Sequence, residues 1–281
     1  MPTRVYVDGV VVPPADAQIS IFDRGFLYGD AVIEVLRTRR GRPVDLEAHL
    51  DRLDRSARAV RMEPPARAAV IDALTATLDA AREPEARIRI VLTRGQGDLR
   101  ADLASLGPPL PIVIVEALPS PRRDVYERGV AVVVMGPLPP AVPLAPAAKT
   151  SNSLGGVLAT AVARDRGADE AIRCDAAGRI TEAAFSNVFA VVDGVVTTPP
   201  VELGLLPGVT RGRVLTLCQD HGLAVAERAI TVDELRVASE VFLTSSVRGV
   251  VPVRAVDGVV RPVGPTTRRV LALYQAFLES L

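Results

Sequence analysis

Phe189-Ala190-Val191-Val192-Asp193-Gly194-Val195-Val196-Thr197-Thr198 is two apolar, β-branched runs joined by two residues. Asp-Gly between such runs marks a tight hairpin, because the turn that matches strand twist needs positive φ at both positions. The device recurs at Val5-Tyr6-Val7, Asp8-Gly9 and Val10-Val11-Val12, and again at Asp257-Gly258. Three such hairpins predict a sheet that is largely antiparallel. Helical periodicity alternates with the strands at 46–60, 66–82, 153–166, 209–221 and 265–280, with apolar residues at three- and four-residue steps. In the first helix Leu46, Leu50, Leu53, Ala57 and Val60 form one stripe, and His49, Arg52 and Ser56 another. The class is therefore α+β. Between the strand-like Ile112-Val113-Ile114-Val115 and Val130-Ala131-Val132-Val133-Val134 lies Pro119-Ser120-Pro121-Arg122-Arg123-Asp124, which reads as an interdomain linker. The expected organisation is a small domain at 1–118, a linker at 119–127 and a larger domain at 128–281. A second proline-rich stretch, Pro137 to Pro146, reads as an ordered loop that delivers Lys149 to a fixed place.

Composition excludes several functions. The 281 residues carry 33 basic and 33 acidic side chains, for zero net charge, with 48% apolar residues. Balanced, scattered charge leaves no basic stripe, so no nucleic-acid partner is expected. No apolar run is long enough for a membrane span, and Met1-Pro2-Thr3-Arg4 leads into a strand pattern rather than a signal peptide. Two cysteines, Cys174 and Cys218, and two histidines, His49 and His221, are too far apart for a zinc site or a disulfide framework. No metal is expected, and the compartment is expected to be the reducing cytoplasm. The cysteines read as core residues and His221 as a helix end.

One count stands out. Of the 33 basic residues, 32 are arginine and one, Lys149, is lysine. It is either an accident of composition or a place where only a primary amine will serve: a desolvated lysine can lose its proton and attack a carbonyl, which arginine cannot do near neutral pH. A cofactor joined to such an amine, pyridoxal phosphate for instance, needs donors for its phosphate, an acid for its pyridine nitrogen and an apolar contact for its ring. Gly204-Leu205-Leu206-Pro207-Gly208-Val209-Thr210-Arg211 opens a helix. It is either a plain turn with a threonine cap or an anion site built from the Val209 and Thr210 amides and the threonine hydroxyl. Ser245 and Ser246, following a strand, offer more donors. Arg52 is either a solvated surface charge or the counter-charge, and Glu182, between two strand-like segments, either an exposed loop acid or the partner of the ring nitrogen.

Taken in order, Lys149-Thr150-Ser151-Asn152, Gly167-Ala168-Asp169-Glu170-Ala171-Ile172, Thr181-Glu182 with Ser186-Asn187-Val188-Phe189, and Leu206-Pro207-Gly208-Val209-Thr210-Arg211 resemble the class IV aminotransferases. This is the fold-type IV pyridoxal-phosphate family of D-amino-acid aminotransferases, branched-chain aminotransferases and aminodeoxychorismate lyases. Asp23-Arg24-Gly25-Phe26-Leu27-Tyr28-Gly29-Asp30, Glu34 and Glu47-Ala48-His49-Leu50-Asp51-Arg52-Leu53 extend the resemblance to the N-terminal part, so it spans essentially the whole chain. It implies a small α/β domain and a larger cofactor domain built as a pseudo-barrel of mostly antiparallel strands. It also implies pyridoxal 5'-phosphate as cofactor, with Lys149 as the Schiff-base lysine and proton shuttle. Glu182 would pair with the pyridine nitrogen and Arg52 with the phosphate. Val209, Thr210 and Ser246 would donate to the phosphate, with Ser245 beside them, and Leu206 would pack on the ring. Family members are homodimers, so a homodimer with its active site near the subunit interface is expected.

Substrates would be amino acids and 2-oxo acids, exchanged by a ping-pong mechanism. Arg87 and Arg89 share one face of a strand while Ile88, Ile90 and Leu92 share the other, so Arg89 can face substrate. Arg100 is similar in position to a carboxylate-binding arginine of D-amino-acid aminotransferases, and Tyr28 can hydrogen-bond a substrate or a partner residue. Four positions depart from the family patterns: Asp102 replaces a histidine, Ile33 a usually aromatic substrate-pocket residue, Ser153 a tyrosine and Ala183 a glycine. The favoured expectation is a D-amino-acid aminotransferase. The alternatives are a branched-chain L-amino-acid aminotransferase and a 4-amino-4-deoxychorismate lyase.

Overall fold

The computed structural model describes residues 3–100, 102–103, 107–119, 123–136 and 148–281. The proline-rich stretch 137–146 and residues 120–122 of the expected linker lie outside them. The chain separates into two compact units. The first holds the described residues up to 119, joined by Ala148–Asn152 and Leu281, and the second holds the rest.

In the first unit β1 (Arg4–Val7) and β2 (Val10–Val12) form a hairpin, followed by α1 (Arg24–Tyr28), β3 (Ala31–Arg39), β4 (Arg42–Pro43), α2 (Leu46–Ala59), α3 (Arg67–Ala81), β5 (Ala86–Thr93) and β6 (Leu110–Ala117). The strands lie in the order β2-β1-β6-β5-β3-β4, and every pairing is antiparallel. Alternation along β5 decides its faces. Ile88, Ile90 and Leu92 are buried with Val32, Leu36, Val113 and Val115 against Leu50 and Leu53 of α2 and Leu74 of α3. Each fully buried Leu or Ile stabilises the fold by roughly 1.5–3 kcal/mol. Near Val32 the free edge of β3 is taken by a late segment of chain: Val32 pairs antiparallel with Thr150.

The second unit runs α4 (Arg123–Arg128), β7 (Val130–Met135), α5 (Leu154–Asp165), β8 (Glu170–Cys174), β9 (Ile180–Ala183), β10 (Asn187–Val192), β11 (Val195–Thr198), α6 (Val209–Asp220), β12 (Val225–Glu227), α7 (Val232–Val237), β13 (Glu240–Ser245), β14 (Gly249–Val256), β15 (Val259–Val260) and α8 (Pro265–Glu279). Its sheet has the order β12-β11-β10-β13-β14-β7-β8-β9, with β15 on β14. It curls into a half-barrel. Parallel pairings occur at β11/β12, β14/β7 and β7/β8, and the other five are antiparallel. All three Asp-Gly turns have positive φ at both residues (51° and 85°, 50° and 78°, 49° and 80°), the geometry their chemistry predicts. The sheet is packed on both faces. Val188, Ile172, Val241 and Leu243 lie in one cluster with Ile230 and Leu235. Phe189 and Phe242, stacked at 4.8 Å, lie in another with Val214 of α6 and Val270 and Tyr274 of α8. The five helices expected from periodicity form within a residue or so of the predicted ends. Cys218 is buried, Cys174 half-buried, and His221 ends α6 with Nδ1 2.9 Å from the Leu217 carbonyl. Among the described residues no helix is long and apolar enough to cross a membrane.

Candidate active site

Glu34 sits on the core face of β3 between Val32 and Leu36 and is fully buried. The polar stripe of α2 answers it. Arg52 donates from Nε to Glu34 Oε1 and from Nη2 to Oε2, both at 2.7 Å, and His49 Nδ1 lies 2.6 Å from Oε2. Burial by itself pushes the Glu34 carboxyl up, but the hydrogen bonds from Arg52 and then His49 outweigh it and hold it below the usual carboxylate range. Arg52 is therefore not a solvated surface charge; it is 3% exposed, locked by a bidentate clasp of fixed geometry. One turn further along the stripe, buried Ser56 accepts the Lys149 backbone N–H at 3.0 Å. The Ile33 amide donates to the Lys149 carbonyl at 2.8 Å, and the Ser151 amide to Ala31 at 2.9 Å. Lys149 is thus held by its own backbone against β3 and α2.

The expected substrate residues fall into two groups. Ile33 pairs with Val91, and Val35 with Arg89, so Ile33 and Arg89 share the sheet face opposite the helices. Ile33 is buried and Arg89 exposed. Arg89 has no carboxylate partner among the described residues. Desolvation first, and the charge of Arg87 second, hold its guanidinium below its ordinary value, although part of the side chain is open to water. Tyr28 and Arg100 lie with α1 and the loop after β5. Tyr28 donates to the Leu99 carbonyl at 2.7 Å. Arg100 pairs with Asp98 at 2.6 Å, and its carbonyl accepts from Arg24. Asp30 takes both Arg24 and Arg94, at 3.1 and 2.7 Å. Exposed apolar side chains lie around α1, at Phe22 and Phe26, and on this loop, at Leu99 and Leu103.

In the second unit a hydrogen-bond chain joins Glu182, Leu206 and Asn187. Glu182 Oε2 accepts the Leu206 amide at 3.1 Å, and Asn187 Nδ2 donates to the Leu206 carbonyl at 2.9 Å. Asn187 in turn faces Thr244, next to Ser245. Gly208 is the N-cap of α6 and supplies no side-chain cap, so the Val209 and Thr210 amides point out of the helix end without one. A Cβ on Gly208 would lie 1.9 Å from Asn187 Oδ1, so any larger residue there must displace the Asn187 side chain. An open helix N-terminus with a buried threonine beside it suits a dianionic phosphate, and Glu182 suits a protonated ring nitrogen. The donor set therefore fits pyridoxal phosphate.

Glu34, Ser56 and Asn187 carry more of the arrangement than their sequence settings announce. Glu34 could have been found as the one charge on the inward face of an apolar strand, and Ser56 from its place on the His49–Arg52 stripe. Arg173, which reaches Glu182 from β8 at 2.5 Å, gives no such signal.

Comparison with known proteins agrees with this geometry. A family model described as "Amino-transferase class IV" matches residues 31–256. A Methanocaldococcus jannaschii protein with the provisional name branched-chain-amino-acid aminotransferase is 37% identical over 95% of this chain and 93% of its own. A D-alanine aminotransferase of Bacillus licheniformis is 30% identical over 91% and 89%. The solved branched-chain aminotransferase of Thermoproteus uzoniensis with norvaline superposes with a TM-score of 0.92 at 27% identity, covering 100% of this chain and 96% of that one. A hypothetical aminotransferase from Mycobacterium tuberculosis in its PLP-bound form gives 0.86 at 25% identity, covering 99% of both chains. From the lone lysine to the open helix end, the sequence order, the fold and these relatives agree: the chain belongs to the class IV aminotransferases, pyridoxal-phosphate enzymes of fold type IV.

Proposed function

We propose that the chain transfers the amino group of a D-amino acid to a 2-oxo acid, with Arg89 holding the substrate carboxylate. The observation that carries the proposal is Arg89 itself, a guanidinium with no acid partner among the described residues, on the sheet face of Ile33, whose amide binds the Lys149 carbonyl. Arg100 already has Asp98, so its part is secondary, with Tyr28 bonded from α1 to the same loop. When bound, pyridoxal phosphate forms a covalent link to an amine and accepts the electron pair left when the substrate's α-proton departs. Lys149 Nζ carries that amine and moves the proton. Glu182 presents an acceptor to the ring nitrogen. Arg52, held in place by Glu34, supplies charge to the phosphate, together with the Val209 and Thr210 amides, the threonine hydroxyl and Ser245 and Ser246. Leu206 gives the ring an apolar contact. We take the exposed apolar side chains around α1 and the loop after β5 as the face toward a second copy in a homodimer, checked by light scattering on the purified protein.

A second reading, a branched-chain L-amino-acid aminotransferase, is favoured by the 37% identity to the M. jannaschii protein. One experiment separates the two. The holoenzyme is mixed with D-alanine, D-glutamate or L-leucine without acceptor, and the cofactor absorbance is followed. Loss of absorbance with the D-amino acids is expected; loss with L-leucine alone would overturn the D-specific proposal.

A further inference from the structure

Arg173 lies on β8, and its Nη2 donates to Glu182 Oε1 at 2.5 Å. The other carboxylate oxygen receives the Leu206 amide. Arg173 and Glu182 are 28% and 19% exposed, so water screens the pair only in part. Arg173 Nε is buried with no hydrogen-bond partner, and among the described residues the guanidinium has no second acid. The geometry commits this arginine to Glu182.

We infer that Arg173 is a positioning residue for Glu182: it fixes the carboxylate from the β8 side and supplies a compensating charge, so that the acid offered to the cofactor's ring nitrogen is preset. This rests on the proposal that Glu182 meets that nitrogen. A carboxylate has about four lone-pair sites. The Leu206 amide and Arg173 take one on each oxygen. Held at both oxygens, the group no longer rotates freely, and an arriving N–H finds an oriented acceptor at smaller entropic cost. The guanidinium and the amide can only donate, so both Glu182 oxygens are set as acceptors. The three participants sit on β8, on β9 and in the turn before α6.

The test uses apoenzyme and two ligands, pyridoxal phosphate and its analogue with carbon in place of the ring nitrogen, each titrated by fluorescence. Arg173→Met is expected to weaken pyridoxal phosphate by about tenfold while changing the carbon analogue less than about twofold. Arg173→Lys, which keeps the charge, should recover most of the loss and serves as the second variant if the methionine form folds poorly. In a Glu182→Gln background Arg173→Met should cost nothing more. Equal weakening of both ligands, an undiminished effect in the Glu182→Gln background, or no effect of Arg173→Met where Glu182→Gln is harmful would each overturn the inference. If Glu182→Gln itself treats the two ligands alike, the assignment of Glu182 to the ring nitrogen fails first, and the role of Arg173 falls with it.

Discussion

Arg52 and Arg100 belong to the same unit and the same residue type, yet their surroundings are opposite. Arg52 is 3% exposed and clasped through two nitrogens by a glutamate on another element. Arg100 has a 66% exposed side chain and pairs with Asp98, two residues away in its own loop. The first geometry is set by the packing of α2 on β3 and cannot change without disturbing the core. The second depends on local contacts that a bound carboxylate or a second subunit can replace. Arg52, assigned to the cofactor, stands on the rigid kind of support, while the residues assigned to substrate lie on the sheet face of Arg89, in α1 and on the loop after β5. Such a division lets one scaffold keep its chemistry while its substrate changes.

The comparison breaks first, and hardest, on the buried side. Lys149→Ala is expected to reduce kcat/KM for transamination by at least about a thousandfold. It should leave the thermal midpoint near that of the wild type, because backbone bonds tether the segment. Turnover within tenfold of wild type would show that the amine lies elsewhere.

Next in size is Glu34→Ala, which leaves Arg52 buried without its counter-charge and should cost about 3–5 kcal/mol in urea unfolding, whereas Asp98→Ala should leave the midpoint where it is. Equal effects would erase the distinction between the two arginines. The Glu34 carboxyl is held below its ordinary value of 4.5. Its contribution is therefore fully present above that pH and is lost as pH falls through the lower folded value. A Glu34→Gln variant should lose less stability than the wild type between neutral pH and acid, and parallel pH profiles would refute this.

Gly208→Ala, which pushes a methyl group into Asn187, should cost about 1–3 kcal/mol and weaken phosphate binding. A wild-type melting curve would mean that the turn has slack. The smallest effects should come from the substrate arginines: Arg89→Gln is expected to raise the KM for the amino donor about tenfold, and Arg100→Gln to raise it less. The reverse order would transfer the carboxylate site to the loop.

Much of the fold was legible because turns and periodicity are local. Asp-Gly at 8–9, 193–194 and 257–258 dictates its own backbone, and apolar spacing dictates five helices. Lys149 stood out for a different reason, since a chain that uses arginine everywhere else keeps one residue able to become a neutral amine. Family order then pointed to Glu182 and Arg52 as candidates. The burial of the His49–Arg52–Ser56 stripe was not legible, because periodicity separates two stripes without revealing that β3 places a glutamate under the polar one.

The amino-acid sequence by itself determined the hairpins, the helices and the single lysine, since each depends on residue type and short-range spacing, and family resemblance added candidate residues for a phosphate and a ring nitrogen. Only the tertiary structure decided which arginine is locked and which is open, that Ser56 holds the backbone of Lys149, and that Arg173 grips Glu182. The last pair depends on the β8–β9 pairing, whose register shifts between Ile172 and Cys174. Contacts between elements come from packing and pairing, and no local spacing rule encodes them.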